Sequence, residues 1–389
     1  MRVAFFPDSF HEANGVGTLS REFAAFALRQ RLPFLTVHSG PRTRVVHRES
    51  STTVELKRGP ASFALDHDLD CDPLLSRYKR YVTSEVKAFR PDLIHITGPG
   101  DMGILGFWVA HTLGIPLVAS WHTNLHEYAA RRFENFCSFM PDGWRNHISE
   151  VVQNESLRAC VLFYRLARFI LAPNEKMLKL LVERTGKPGF LMPHGVDTEV
   201  YTPAKRRRAG GAFCIGYVGR LTPEKNVRMF TDLQKRLWAA GERDFELILV
   251  GEGSEKEWLR KNLSHVELPG VLRGDGLAEA FAGMDVFVFP SRTDTFGLVL
   301  LEAMSSGLPV VVNADTGRHV GIEDGVEGLY AEDTQSVANS VLALKRNEGL
   351  RARMSCAARG FAISNDWSEV FKQLYRVYEC GLEKDGTVF

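Results

Sequence analysis

Short apolar runs alternate with longer stretches of helical pattern from one end of this 389-residue chain to the other, and that alternation leaves few folds open. The runs Arg2-Val3-Ala4-Phe5-Phe6, Phe34 to His38, Asp92 to Thr97, Leu117 to His122 and Phe169 to Ala172 read as strands, with room for a helix between each pair. Strands separated by helices pair in parallel, because a parallel pair needs a crossover connection long enough to hold one. After residue 210 the pattern restarts, with Phe213 to Val218, Glu246 to Val250, Val286 to Phe289 and Pro309 to Asn313. The expected class is α/β, with two parallel-sheet domains in sequence.

Between the two halves stand Met192-Pro193-His194-Gly195-Val196-Asp197, Pro203 and the charged run Lys205-Arg206-Arg207-Arg208-Ala209-Gly210-Gly211. Proline, glycine and clustered charge describe a solvated connection. The domains are therefore expected at 1–195 and 196–365, followed by a terminal helix over 366–389 that contains Trp367, Tyr375 and Tyr378. Two open sheets so joined leave a cleft at the carboxyl ends of their strands, which is where ligands of such folds bind.

Composition narrows the partners. Lys plus Arg number 48 and Asp plus Glu 47, so no global field recruits nucleic acid, and none is expected as a partner. The six cysteines are scattered without a CxxC pair, which argues against a zinc knuckle or redox dithiol and suits a reducing cytoplasm. The first apolar run is broken by Pro7 and Asp8, so no signal peptide is expected, and no stretch of 18 apolar residues reads as a membrane span.

The chemistry-bearing residues of the second half follow its strands. After Phe213 to Val218 comes Gly219-Arg220-Leu221-Thr222-Pro223-Glu224-Lys225-Asn226. Two cations at a strand-to-helix turn, with its free backbone amides, suit a diphosphate. After Val286 to Phe289 comes Pro290-Ser291-Arg292-Thr293-Asp294-Thr295-Phe296-Gly297-Leu298-Val299-Leu300-Leu301-Glu302, with carboxylates at 294 and 302. If the helix begins near Phe296 or Gly297, Asp294 lies in the loop before it and Glu302 lies one to two turns in. Carboxylates accept paired hydrogen bonds from vicinal hydroxyls, so the two can read a sugar and a ribose on one ligand. As local features alone, the cations also fit a solvated loop and the carboxylates a favourable helix start.

Together with Ser305-Ser306-Gly307-Leu308-Pro309-Val310-Val311-Val312, these segments resemble glycosyltransferase family 4, whose members are retaining enzymes of the GT-B fold. The resemblance implies two Rossmann-like domains facing across a cleft, with the C-terminal helix crossing back to the first. It implies that Arg220 and Lys225 neutralise the pyrophosphate of a nucleotide-sugar donor and that Glu302 holds the ribose hydroxyls. Asp294 then contacts the transferred sugar, with backbone amides at Phe296 and Gly297, and Leu298 is a further donor-binding residue. The family's usual glutamate is here Asp294, one methylene shorter. Gly219 and Gly251, the latter in Gly251-Glu252-Gly253 after Leu247 to Val250, lie beside the nucleotide, and Val271 and Leu272 meet its base.

In the first half, Asn14-Gly15-Val16-Gly17-Thr18-Leu19-Ser20 opens a helix, and Gly15 and Gly17 allow another group close to the backbone. The resemblance places that group as the donor diphosphate or the acceptor. His122, at the end of Leu117 to His122, matches a family position near the transferred sugar and joins Arg220, Lys225 and Asp294 as a catalytic candidate. His126, Tyr128 and Arg131 are candidate acceptor contacts. His122 and His126 have metal-ligand spacing but no third ligand, so no metal is expected.

The segment His126 to Arg168 is basic, aromatic and helical in pattern. The segment His122 to Arg132 resembles glycolipid-forming, sulfolipid-synthase-like branches of the family, which implies a lipid acceptor and peripheral contact with the inner face of a membrane. The expected function is hexose transfer from a UDP- or GDP-sugar to a hydroxyl of a lipid, glycan or small molecule, with no cofactor beyond the nucleotide-sugar co-substrate. The competing readings are a non-catalytic nucleotide-sugar binder and an NAD-dependent oxidoreductase. The latter is opposed by Ser20 and Lys256, which stand where a third glycine belongs.

Overall fold

The computed structural model describes residues 1–12, 14–60, 62–66, 69–122, 142–207, 210–291 and 297–383, with side chains except at 64–66, 69–70, 142–150 and 153. The chain divides into two compact units. Unit 1 is Met1–Pro193 with Val370–Phe389, and unit 2 is His194–Glu369.

Among the described residues, unit 1 is built on β1 (Val3–Phe6), β2 (Phe34–Gly40), β3 (Arg44–Arg48), β4 (Ser51–Lys57), the hairpin of β5 (Phe63–Asp66) and β6 (Leu69–Cys71), β7 (Leu93–Ile96), β8 (Leu117–Ser120), β9 (Phe169–Ala172) and β10 (Gly189–Leu191). An eight-stranded sheet runs in the order β10-β9-β8-β7-β1-β2-β4-β3, and only the outermost pair, β3 with β4, is antiparallel. The strands that the apolar runs predict are buried on both faces. β3, the edge strand, and β4 beside it escape that prediction because both are polar in sequence; Arg44, His47 and Arg48 on β3 are charge of the kind that protects an edge from further pairing.

Helices cover the sheet. One face packs the aromatic cluster of Phe5, Phe23 and Phe34, and Phe371 of the terminal helix Trp367–Glu383 stacks on Phe23 with ring centroids 4.7 Å apart. His95 ties this helix to the sheet. Its Nε2 lies 2.8 Å from the Ser120 hydroxyl and its Nδ1 lies 2.7 Å from the Tyr378 hydroxyl, all three residues fully buried. Burial lowers the His95 pKa to about 3, so the ring is neutral and bridges two hydroxyls.

Unit 2 carries β11 (Phe213–Val218), β12 (Phe245–Val250), β13 (Val266–Gly270), β14 (Val286–Phe289), β15 (Val310–Val312) and β16 (Gly328–Tyr330), all parallel, in the order β13-β12-β11-β14-β15-β16. The basic run after Pro203 is not a free hydrated linker. Lys205 pairs with Asp275, Arg206 with Asp285 and the carbonyls of Ala282 and Met284, and Arg207 with Glu279, so the run is fastened to unit 2.

Both units share one topological feature. β1 lies between β2 and β7, and β11 lies between β12 and β14, so in each sheet the winding reverses beside its first strand. At such a point two neighbouring crossovers leave in opposite directions, and the loops at the carboxyl edge part to form a crevice.

Replacing Tyr378 by Phe leaves a buried His95 nitrogen without its hydroxyl partner. A loss of about 1 to 3 kcal/mol is expected, read as a lower urea midpoint at unchanged m-value.

Candidate functional site

In unit 2 the turn after β11 lies on one side of the switch point and the helix after β14 lies on the other. The strand ends are bonded to one another at this edge. The Gly219 amide donates to the Val250 carbonyl at 3.0 Å, the Leu221 amide to the Glu252 carbonyl at 2.8 Å and the Gly251 amide to the Gly270 carbonyl at 2.9 Å. Gly251, at φ +140°, is required here, because a Cβ would stand 1.9 Å from the Gly219 carbonyl oxygen. Gly219 and Gly251 therefore hold two adjacent loops in register, whatever else the turn binds.

Arg220 projects from this turn into solvent, its guanidinium 3.7 Å from Glu224, while the Tyr217 hydroxyl donates to its carbonyl at 3.0 Å and fixes its backbone. Lys225 is buried, at 8% exposure. It closes a short 3₁₀ turn, Pro223–Lys225, and the chain reaches the helix Met229–Ala239 only after Asn226, which turns it at φ +55°. The sequence suggests a lysine near the start of that helix. Pro223 instead forms a separate turn that brings Arg220 and Lys225 onto one loop.

The helix across the switch point runs over Leu298–Ser305, one or two residues later than expected. Gly297 precedes it in the left-handed region at φ +58°, and its Cα faces Val320 so closely that a Cβ would come within 2.4 Å of a methyl group. Glu302 lies in the second turn. Burial, offset only in part by a hydrogen bond from the Tyr201 hydroxyl, pushes its carboxyl up to about 7.

Tyr201 is held in turn. Its carbonyl accepts from the Ser305 hydroxyl at 2.6 Å and from Arg359 at 2.9 Å, and its ring meets Phe281 edge-on. Sequence reasoning passed over Tyr201; its only signal is that it is an aromatic residue in an otherwise polar connection. Val271 and Leu272 follow β13, with Val271 exposed. Asp294 and Phe296 lie outside the described residues.

In unit 1, His122 follows β8 and is buried, at 1% exposure. The preceding Trp121 packs on Tyr164, whose hydroxyl donates to the Ser120 carbonyl at 2.9 Å, so the strand end is firmly placed. Gly15 is the first residue of the helix Gly15–Arg29, and the Asn14 side chain caps the Gly17 amide at 2.8 Å. Gly17 packs against the Glu12 carbonyl. His126, Tyr128 and Arg131 lie outside the described residues.

At the switch point between β1 and β7 stands a residue that the sequence reading did not select. Asp8 accepts from the Gly103 amide at 3.0 Å and the Gly100 amide at 3.2 Å, at the start of the helix Asp101–Leu113, and its own amide donates to Thr97 at 2.9 Å. Burial first, and then the neighbouring Asp101 charge, push its carboxyl up to about 7 against those amides. Its sequence signal is plain in retrospect: it is the first polar side chain beyond the first strand. Among the described residues, no three His, Cys, Asp or Glu side chains gather as a metal site.

Residues 13–200 match the family described as "Glycosyltransferase Family 4", and residues 212–347 match "Glycosyl transferases group 1". A GDP-mannose-dependent alpha-mannosyltransferase of Mycolicibacterium smegmatis is 29% identical over 311 residues, 76% of either chain. The sulfoquinovosyl transferase of Arabidopsis thaliana is 29% identical over 76% of this chain and 58% of its own. Among solved structures, sucrose-phosphate synthase from Thermosynechococcus elongatus superposes with a TM-score of 0.70 at 16% identity, covering 98% of this chain and 99% of that one. HepE of Anabaena, solved with UDP and glucose, has a TM-score of 0.64 at 18% identity, covering 97% and 99%. These likenesses carry the fold, the two-Rossmann-domain GT-B type.

The Glu302 carboxyl makes a signed prediction for stability. Its pKa is higher in the folded chain than the ordinary 4.5, so its contribution is fully present below about pH 4.5 and is lost as pH rises through about 7. Glu302→Gln removes that dependence. Thermal unfolding between pH 5 and 8 should show a shallower loss of Tm in the variant, on the order of 3 kcal/mol at most across the window.

Proposed function

Because the chain belongs to glycosyltransferase family 4, we propose that it transfers a hexose-type sugar from a UDP- or GDP-sugar to a hydroxyl acceptor, with retention at the anomeric carbon and without a metal. The single observation that carries this reading is the placement of these residues on the two sides of the unit 2 switch point: Arg220 and Lys225 on the β11 turn, and Glu302 on the helix after β14.

The chemistry follows from where charge develops. As the glycosidic bond to phosphate breaks, negative charge gathers on the leaving nucleoside diphosphate and positive charge on the anomeric carbon. Arg220 supplies a mobile, exposed cation, and Lys225 supplies one held in place by burial. Two cations of this kind stabilise the leaving group by preorganised electrostatics, the role a metal ion takes elsewhere, and no DxD-type pair stands in this half of the chain to hold one. The acceptor hydroxyl attacks from the side the phosphate leaves, and its proton passes to that phosphate, so no enzyme nucleophile is assigned. Glu302, in its ionised form, accepts the ribose hydroxyls.

His122 at the end of β8 and Asp294 are assigned to the transferred sugar. The relatives' use of GDP-mannose favours a guanine nucleotide, and the sulfoquinovosyl transferase relationship favours a lipid acceptor. A lipid acceptor entails work at the cytoplasmic face of a membrane; among the described residues no helix is long and apolar enough to cross one.

The test is release of nucleoside diphosphate from a panel of UDP- and GDP-sugars in a coupled assay. Arg220→Ala is expected to lower kcat/KM on the order of 10²-fold for the accepted donor. Unchanged turnover would refute the electrostatic assignment. Ribose binding by ionised Glu302 also predicts that the donor KM falls as pH rises through about 7, and that Glu302→Gln abolishes this trend.

A further inference from the structure

Tyr201 lies in the stretch that leads into β11, and its backbone is fixed on both sides. Upstream, the Asp197 carboxylate accepts the amides of Glu199 at 3.0 Å and Val200 at 2.9 Å, and the Thr198 hydroxyl donates to Asp366 at 2.7 Å. Downstream, Thr202 caps the turn Pro203–Lys205, and Pro203 packs so closely on Gly307 that a Cβ there would stand 2.9 Å from its ring. Gly307 lies just beyond the helix Leu298–Ser305 that carries Glu302.

Arg359 closes the arrangement. From the helix Glu348–Ser364 it donates to the carbonyls of Thr198 at 3.0 Å, Tyr201 at 2.9 Å and Ser305 at 2.6 Å, and to the Ser305 hydroxyl at 2.8 Å. The Ser305 hydroxyl donates in turn to the Tyr201 carbonyl at 2.6 Å. Ser305 follows Glu302 at helical i,i+3 spacing, on the same side of the helix. The backbone of Tyr201 is thus bonded to the helix whose carboxyl its hydroxyl meets, and its ring, edge-on to Phe281 with centroids 5.7 Å apart, has a set direction.

A phenylalanine ring would fill the same place, so the hydroxyl is what the packing does not require. It donates to Glu302, and burial and then the Glu302 charge keep its own proton on. An ionised carboxylate has about four acceptor positions, so one spent on Tyr201 orients the group and leaves the rest for vicinal hydroxyls. The surroundings supply other charges, but these are engaged elsewhere among the described residues. β14 and β15, packed against the helix, are wholly apolar, and Asp275 and Glu279 of the helix Gly274–Gly283 pair with Lys205 and Arg207. Arg351 and Arg359 of the helix Glu348–Ser364 donate to carbonyls, and Arg220 and Lys225 lie across the switch point on the β11 turn.

We propose that Tyr201 is a positioning residue for donor binding: its hydroxyl, carried on a backbone that Arg359 and Ser305 clamp to the same helix, aims the Glu302 carboxylate at the ribose hydroxyls. The inference rests on the reading of Glu302 as the ribose acceptor given above.

The experiment measures binding of GDP and 2′-deoxy-GDP, and of UDP and 2′-deoxy-UDP, to the full chain by calorimetry between pH 5.5 and 9. The ratio of ribo to deoxyribo affinity isolates the ribose, because each pair carries the same phosphates and their titration cancels. In the unsubstituted chain the ratio for the accepted nucleotide should rise with pH as Glu302 ionises, and Glu302→Gln should make it flat. Tyr201→Phe removes a bond that favours the charged carboxylate, so the rise should move up by about one pH unit. At pH 7 the ratio should fall about fivefold and recover in part by pH 9. Ser305→Ala, which loosens the Tyr201 carbonyl, should move the ratio in the same direction by about twofold and serves if Tyr201→Phe folds poorly. A ratio and pH profile that Tyr201→Phe leaves unchanged, even with a lower Tm, would make the tyrosine merely structural and overturn the positioning role while the ribose reading of Glu302 stands. A ratio that is flat in the unsubstituted chain, or still pH-dependent in Glu302→Gln, overturns the ribose reading and the positioning role with it.

Discussion

A parallel strand pair cannot be closed by a tight turn, and this constraint organises both units. Every connection between parallel neighbours passes through a longer stretch, usually a helix, so the carboxyl ends of these strands collect along one edge. The winding starts in mid-sheet and reverses once, beside β1 in unit 1 and beside β11 in unit 2. At those two places the edge loops part. Asp8 and Thr97 stand at one, and Arg220, Lys225 and the Glu302 helix stand at the other. The positions of the functional groups thus follow from how parallel sheets must be wound.

The packing that closes the sheets also tunes the chemistry at their edges. Removing water from a carboxyl favours its neutral form, and both Glu302 and Asp8 are pushed to about 7, each against hydrogen bonds that favour the charged form. Such a group is poised to change ionisation near neutrality, which a carboxyl in water is not. The two cations of unit 2 are handled differently on one short loop. Arg220 lies open and reaches outward, whereas Lys225 is buried against its turn. One is free to follow a ligand; the other is fixed before the ligand arrives.

Legibility in the sequence tracked burial on both faces. β1, β7, β8, β9, β11 and β14 are continuous apolar runs because helices cover them above and below, and a run of that kind is visible without any partner. β3 and β4 are strands for another reason: β4 is held between β2 and β3, and β3 takes its hydrogen bonds from β4 at the edge, with Arg44 bound to Glu55 across the pair. Nothing in their local pattern announces this. The run Lys205 to Arg207 misleads in the opposite direction. Its charges look solvated in the sequence, and their acidic partners at Asp275, Glu279 and Asp285 are about 70 residues or more away.

The sequence by itself determined the positions of the doubly buried strands, the parallel class that follows from helices between strands, the turns that follow them and the identity of the cations and carboxylates placed there. These properties are local, since periodicity and turn chemistry are written within a dozen residues. Only the tertiary structure decided that Gly251 is required by the Gly219 carbonyl, that Tyr201 reaches Glu302, and that Asp8 caps a helix 95 residues further on. Desolvation, close backbone approach and charge pairing are properties of groups brought together in space, and their strength depends on neighbours that no local pattern names.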